Sequence, residues 1–137
     1  NPNSTRPWQH VLDAVYGYLI LAINLKKNKK LNGQAFNFGP STKNNFKVID
    51  VLKLMKKFWK SIKLNIIEKK NNHFETRLLK LNSNKSKKLL NWQTNLNFVE
   101  SVKYTIEWYK IFYQNKKKIS ELSSYQILQY TRKIKKK

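Results

Sequence analysis

From Val11 onward, apolar residues recur at steps of three and four: Val11, Ala14, Val15, Tyr18, Leu19, Ala22 and Leu25. That spacing is one face of a helix, ending in the polar stretch Lys26 to Asn32. It constrains the fold most, because a helix with such a stripe must pack on something. The segment Gln34 to Phe38, stopped by Gly39-Pro40, reads as a short buried strand and a turn. Helical spacing returns at Val48, Val51, Leu52, Met55, Phe58 and Trp59, while Ile62 to Glu68 and Arg77 to Leu81 alternate as strands do. Ser83 is expected to begin a short helix that ends at Asn91, a residue that tolerates the left-handed position after a helix, with Trp92 then entering the core. A long helix is expected from Asn95 to about Tyr113, carrying Leu96, Val99, Val102, Ile106, Tyr109 and Phe112, and a weaker one over Tyr125 to Ile134. Helices alternating with short strands give an α/β fold.

Composition narrows the chemistry. With 137 residues, 40% of them hydrophobic and 13% aromatic, the chain can bury one core. It has no cysteine, which excludes disulfides, thiolate chemistry and Cys-based zinc sites, and the isolated His10 and His73 do not make a metal site. No apolar run approaches eighteen residues and no charged-then-apolar leader is present, so a cytoplasmic protein without a membrane partner is expected.

The formal charge of +22 raises nucleic acid as a partner, since clustered cations displace phosphate counterions. Its distribution argues for the blander reading. Arginine, whose fork suits bases and phosphates, occurs only at Arg6, Arg77 and Arg132; the rest is lysine scattered over every helix, which suits a solvated surface. A basic nucleic-acid-binding module remains the alternative.

The only glycines are Gly17, Gly33 and Gly39, and none forms the Gly-rich turn between strand and helix that a dinucleotide needs. A cofactor site is therefore expected outside these residues. The opening loop is the best candidate for binding: Arg6, Trp8 and His10 place a cation, a flat apolar surface and donors just before a helix N-terminus, which suits a phosphorylated ligand. On these residues alone, a surface ion pair for Arg6 and a core anchor for Trp8 are equally good readings. Tyr113 and Lys117 have the Tyr-xxx-Lys spacing, which can lower a phenol's pKa. In a chain so rich in lysine that spacing arises by chance, and an exposed surface is the better reading.

The stretch from Asn1 through Pro2, Asn3, Ser4, Thr5, Arg6, Pro7, Trp8, Gln9, His10, Val11 and Leu12 to Asp13, with Gly17-Tyr18-Leu19, resembles the motif of CDP-glucose 4,6-dehydratases of the extended short-chain dehydrogenase/reductase superfamily. Further segments agree in order and spacing: Phe36 to Pro40; Glu75 with Leu79-Lys80-Leu81; Lys85 through Leu90-Asn91-Trp92; and Thr105 to Lys110. Ser124 to Ile127 with Tyr130 is similar to that family's ending. The resemblance covers the chain, but only the last third or so of such an enzyme.

The resemblance implies a protein in two parts. An N-terminal Rossmann domain, absent here, holds NAD and the Tyr-xxx-Lys pair; residues 1–114 form the C-terminal region that grips the nucleotide-sugar, and residues 115–137 a Lys-rich helix and tail. The implied reaction oxidises C4 of the glucose of CDP-glucose, removes water across C5 and C6 and returns the hydride to C6, within deoxysugar and lipopolysaccharide O-antigen biosynthesis. The enzyme it implies is a homo-oligomer. No catalytic residue carries over to this chain, which is expected to be inactive alone. By resemblance, Arg6 meets the diphosphate, Trp8 and His10 are further substrate-binding candidates whose other readings are a loop brace and a cap, and Glu75 and Arg77 face the substrate. The pattern departs at His73-Phe74-Glu75, where His directly before Glu is usual, at Asn91 for Gly, and at Asn82 for Asp. A catalytically inactive relative is the remaining alternative.

Overall fold

A computed structural model describes residues 1–66 and 77–135. Two short strands, β1 (Thr5–Arg6) and β2 (Phe46–Lys47), pair antiparallel, with Thr5 opposite Lys47 and Arg6 opposite Phe46. Around them, among the described residues, stand five α-helices: α1 (Val11–Lys27), α2 (Val48–Phe58), α3 (Asn84–Leu90), α4 (Phe98–Gln114) and α5 (Ile119–Lys135). The described residues thus form a helix-rich α/β structure with less strand than the sequence suggests.

Local chemistry sets the helix ends. Asn97 and Glu100 close a capping box at the start of α4: Oδ1 of Asn97 accepts from the Glu100 N–H, and a Glu100 carboxylate oxygen accepts from the Asn97 N–H, each at 2.9 Å. Asn91 takes the left-handed conformation at φ 52°, as expected for the residue that stops α3. Trp92 then turns into the core and is almost completely buried.

Two apolar clusters hold the elements together. One gathers Leu31, Phe38, Leu90 and Trp92 against Tyr16 and Ile20 of α1. The other gathers Val51 of α2 with Val102 and Ile106 of α4, and Trp8 and Phe98 pack on it. Lysines occupy exposed positions on every helix.

Five expectations are corrected. Residues 34–38 form no strand, because side chains satisfy the local backbone: Gln9 donates to the Phe38 carbonyl at 2.8 Å, Ser86 to the Asn37 carbonyl, and the Gly39 N–H donates to Ser83 Oγ at 2.9 Å. Of the strand expected over Ile62 to Glu68, residues 62–66 have no regular structure and the last two lie outside the described residues. The run Arg77 to Leu81 contributes only a parallel bridge between Leu78 and Thr5. The last helix begins six residues earlier than the Tyr125 expected, at Ile119.

The fifth concerns α1. The stripe expected to pack, Val11, Val15, Tyr18, Leu19 and Leu25, is the exposed face, and it is Asp13, Tyr16, Gly17 and Ile20 that turn inward. Gly17 explains part of this: a methyl there would lie 2.5 Å from Cδ1 of Phe38, so its absence lets the aromatic ring seat directly on the helix backbone.

Candidate functional site

The opening loop is built around β1. The Thr5 N–H donates to the Arg77 carbonyl at 2.9 Å and the Leu79 N–H to the Thr5 carbonyl at 3.4 Å, while the other edge of β1 pairs with β2. Three stretches distant in sequence, around Arg6, Phe46 and Arg77, therefore meet at one place. The guanidinium of Arg6 donates through Nη1 to the Thr5 carbonyl at 2.8 Å, which ties the far end of this long side chain back to the loop.

Trp8 braces this arrangement. Its indole N–H donates to the Phe46 carbonyl at 3.0 Å, and its backbone N–H to the Arg6 carbonyl at 2.9 Å, so the chain turns tightly through Pro7. Phe46 stacks on Phe98 of α4 with ring centroids 3.7 Å apart. Such bracing ties the loop to the second apolar cluster and leaves it little freedom. Two polar atoms of the loop, Ser4 Oγ and Gln9 Oε1, are buried without a hydrogen-bond partner among the described residues.

His10 does something else. It is the N-cap of α1: its Nδ1 accepts from the Leu12 N–H at 3.3 Å, which places the proton of the neutral ring on Nε2. The ring stands edge-on to Tyr104 of α4, centroids 5.7 Å apart, and burial lowers its pKa below the ordinary histidine value. It also lines a cavity of about 410 Å³ between the start of α1 and helices α4 and α5, whose walls include Val11, Trp108, Tyr109 and Ile127.

Of the residues expected to bind, the structure therefore brings Arg6, Trp8 and the backbone of Arg77 to one place. It gives His10 a cap and an aromatic neighbour. The Arg77 side chain is exposed. Glu75, like His73, lies outside the described residues. Tyr113 sits exposed in the last turn of α4, which ends at Gln114, while Lys117 belongs to the following 3-10 turn (Lys116–Lys118), so the two share no helical face. Among the described residues no group of three or more His, Asp or Glu side chains is placed to hold a metal ion. No helix of the described residues is long and apolar enough to cross a membrane.

Sequence reasoning missed the polar anchor Asp13, which is fully buried and bonded to Tyr130 of α5 at 2.7 Å. The signal was present: a lone carboxylate inside fifteen otherwise uncharged helical residues, Val11 to Leu25, needs a partner if it is buried.

No protein-family model matches the chain. Among curated proteins, the CDP-glucose 4,6-dehydratase of Salmonella typhimurium (strain LT2) is 29% identical over 110 residues, which is 80% of this chain. The chain spans about 31% of the length of that relative. The comparison thus shows a chain similar to part of a nucleotide-sugar dehydratase.

Proposed function

We propose that these residues are the C-terminal, nucleotide-sugar-holding part of a CDP-glucose 4,6-dehydratase of the extended short-chain dehydrogenase/reductase superfamily. The observation that carries this reading is the likeness to the Salmonella enzyme over 80% of the chain. The opening loop supports it: Arg6 is anchored at one end and braced by Trp8, an arrangement that suits a diphosphate needing a fixed, planar, cationic donor. In this reading Arg6 binds the diphosphate of CDP-glucose, Trp8 and His10 hold the loop's shape, and Glu75 and Arg77 are the further substrate-binding candidates. The complete enzyme is a cytoplasmic homo-oligomer, and its net reaction converts CDP-D-glucose to CDP-4-keto-6-deoxy-D-glucose with loss of water.

The described residues do not fit the NAD that such an enzyme uses. A dinucleotide needs a Gly-rich turn leading from a parallel strand into a helix. Here the one sheet is a two-stranded antiparallel pair, Gly17 is filled by Phe38, and Gly39 would carry a methyl 2.6 Å from Cδ2 of Leu81. NAD is assigned to the remainder of the enzyme.

The test is a chimera in which this chain replaces the matching part of the Salmonella enzyme. The chimera should consume CDP-glucose, and the isolated 137-residue chain, supplied with NAD, should not. A folded chimera that neither binds CDP nor consumes CDP-glucose would refute the assignment, and so would turnover by the isolated chain.

A further inference from the structure

Helix α1 is apolar on both sides. Its inner face, with Tyr16, Gly17 and Ile20, is used within the chain, yet its outer face carries Val11, Val15, Tyr18, Leu19 and Ile23 in the open, with Val11, Tyr18 and Leu19 at 64%, 63% and 59% exposure. A helix that is hydrophobic all round belongs in a protein interior or a membrane, and this one is too short and insufficiently apolar to span a membrane. Charge singles out the same surface. The chain holds 29 Lys and Arg, but none falls between Val11 and Leu25. The patch runs on from Val11 into the 410 Å³ cavity, at whose rim Tyr109 and Ile127 are also exposed.

We infer that the outer face of α1 and this adjoining groove are a docking surface for the larger part of the dehydratase that these 137 residues do not include. The inference rests on the proposed function, and two observations select the occupant. The chain spans about 31% of the length of the Salmonella enzyme, so a body roughly twice its size remains to be placed beside it. A second copy is the poorer fit, because pairing would bring two bodies of charge +22 together around the patch. The occupant is therefore apolar where it meets Tyr18 and Leu19. It carries carboxylates where it meets Lys26 and Lys27 at the end of α1.

The absence of cysteine from the chain gives a clean probe. A Leu19→Cys variant is labelled with a thiol reagent in the isolated chain and in the chimera with the Salmonella enzyme. The rate at that residue is read by mass spectrometry and referred to the same variant in denaturant. The thiol should react freely in the isolated chain and about tenfold or more slowly in the chimera. Equal rates in both would overturn the docking surface. Protection in the isolated chain, together with sedimentation as a dimer, would overturn it in favour of a second copy. Leu19→Lys in the isolated chain serves as a check that does not depend on the chimera folding: its melting temperature should be unchanged within about 2 °C, and a large loss would show that this face belongs to the chain's own core, contradicting the inference. CDP binding by the chimera separates the two claims. A protected Leu19→Cys in a chimera that does not bind CDP supports the docking surface while removing the proposed function.

Discussion

The phenol of Tyr130 on α5 donates a 2.7 Å hydrogen bond to Oδ1 of Asp13 on α1, joining residues 117 positions apart. The Asn95 N–H donates to the same oxygen at 2.7 Å, the Asn95 side-chain amide donates to the Tyr130 oxygen at 3.0 Å, and the Trp92 indole donates to the Asp13 carbonyl at 3.1 Å. A carboxylate removed from water is tolerable only when hydrogen bonds replace the lost hydration. This knot therefore fixes α1, the turn after α3 and α5 against one another.

Tyr130→Phe removes the phenol and leaves Asp13 short of a donor, so it should cost about 1–3 kcal/mol of stability in urea or thermal melts. Burial, the main cause, raises the Tyr130 pKa above its ordinary value. The folded chain then keeps a proton that the unfolded chain loses above about pH 10, and the corresponding stabilisation is present below that pH and lost as pH rises through it. The gap between wild type and Tyr130→Phe should narrow in the alkaline range. A gap that widens there would contradict the assignment.

His10 has the opposite sign. Burial lowers its pKa, so on acidification the unfolded chain takes up a proton at about pH 6.5 while the folded chain resists it. Stability should therefore fall as pH drops below that value. His10→Asn keeps an N-cap acceptor for the Leu12 N–H but cannot titrate, so its urea midpoint should change less between pH 7.5 and 5.5 than that of the wild type. Equal changes in the two proteins would show that the imidazole is not responsible.

Gly17→Ala tests the packing of α1. Helix propensity favours alanine by about 1 kcal/mol, but the new methyl would lie 2.5 Å from the Phe38 ring, and overpacking of this kind costs about 1–3 kcal/mol. The variant should be destabilised on balance. A stabilised Gly17→Ala would mean that Phe38 does not sit on this helix.

The helices were legible in the sequence because their signals are local. The stop at Asn91 and the stripe Val102, Ile106 act within one or two turns, whereas the cap formed by Asn97 and Glu100 starts α4 at Phe98, three residues after the Asn95 expected. What was not legible depends on distant partners. Residues 34–38 read as a strand until Gln9, Ser83 and Ser86 take up their backbone groups, and the pairing of Arg6 with Phe46 leaves no mark in two-residue strands. The inward face of α1 was misread for a more instructive reason. Periodicity found the most apolar stripe, whereas the chain's own core uses the opposite face, where Gly17 admits Phe38 and Asp13 meets Tyr130. At the site, the loop residues Arg6 and Trp8 were legible as a cation and a flat surface, but the carbonyls of Thr5 and Phe46 that fix them were not.

If the proposed part of the enzyme holds a nucleotide-sugar through Arg6, isothermal titration of CDP into the chimeric enzyme reads that contact itself. A guanidinium on a diphosphate contributes about 1.5–3 kcal/mol, so Arg6→Ala should raise the Kd for CDP by about ten- to a hundredfold. Arg6→Lys, which keeps the charge but loses the planar fork, should also bind substantially more weakly than wild type, and NAD affinity should be unchanged in both variants. An unchanged Kd for CDP in folded Arg6→Ala would overturn this reading, because Arg6 would then serve the loop's own structure and not the ligand.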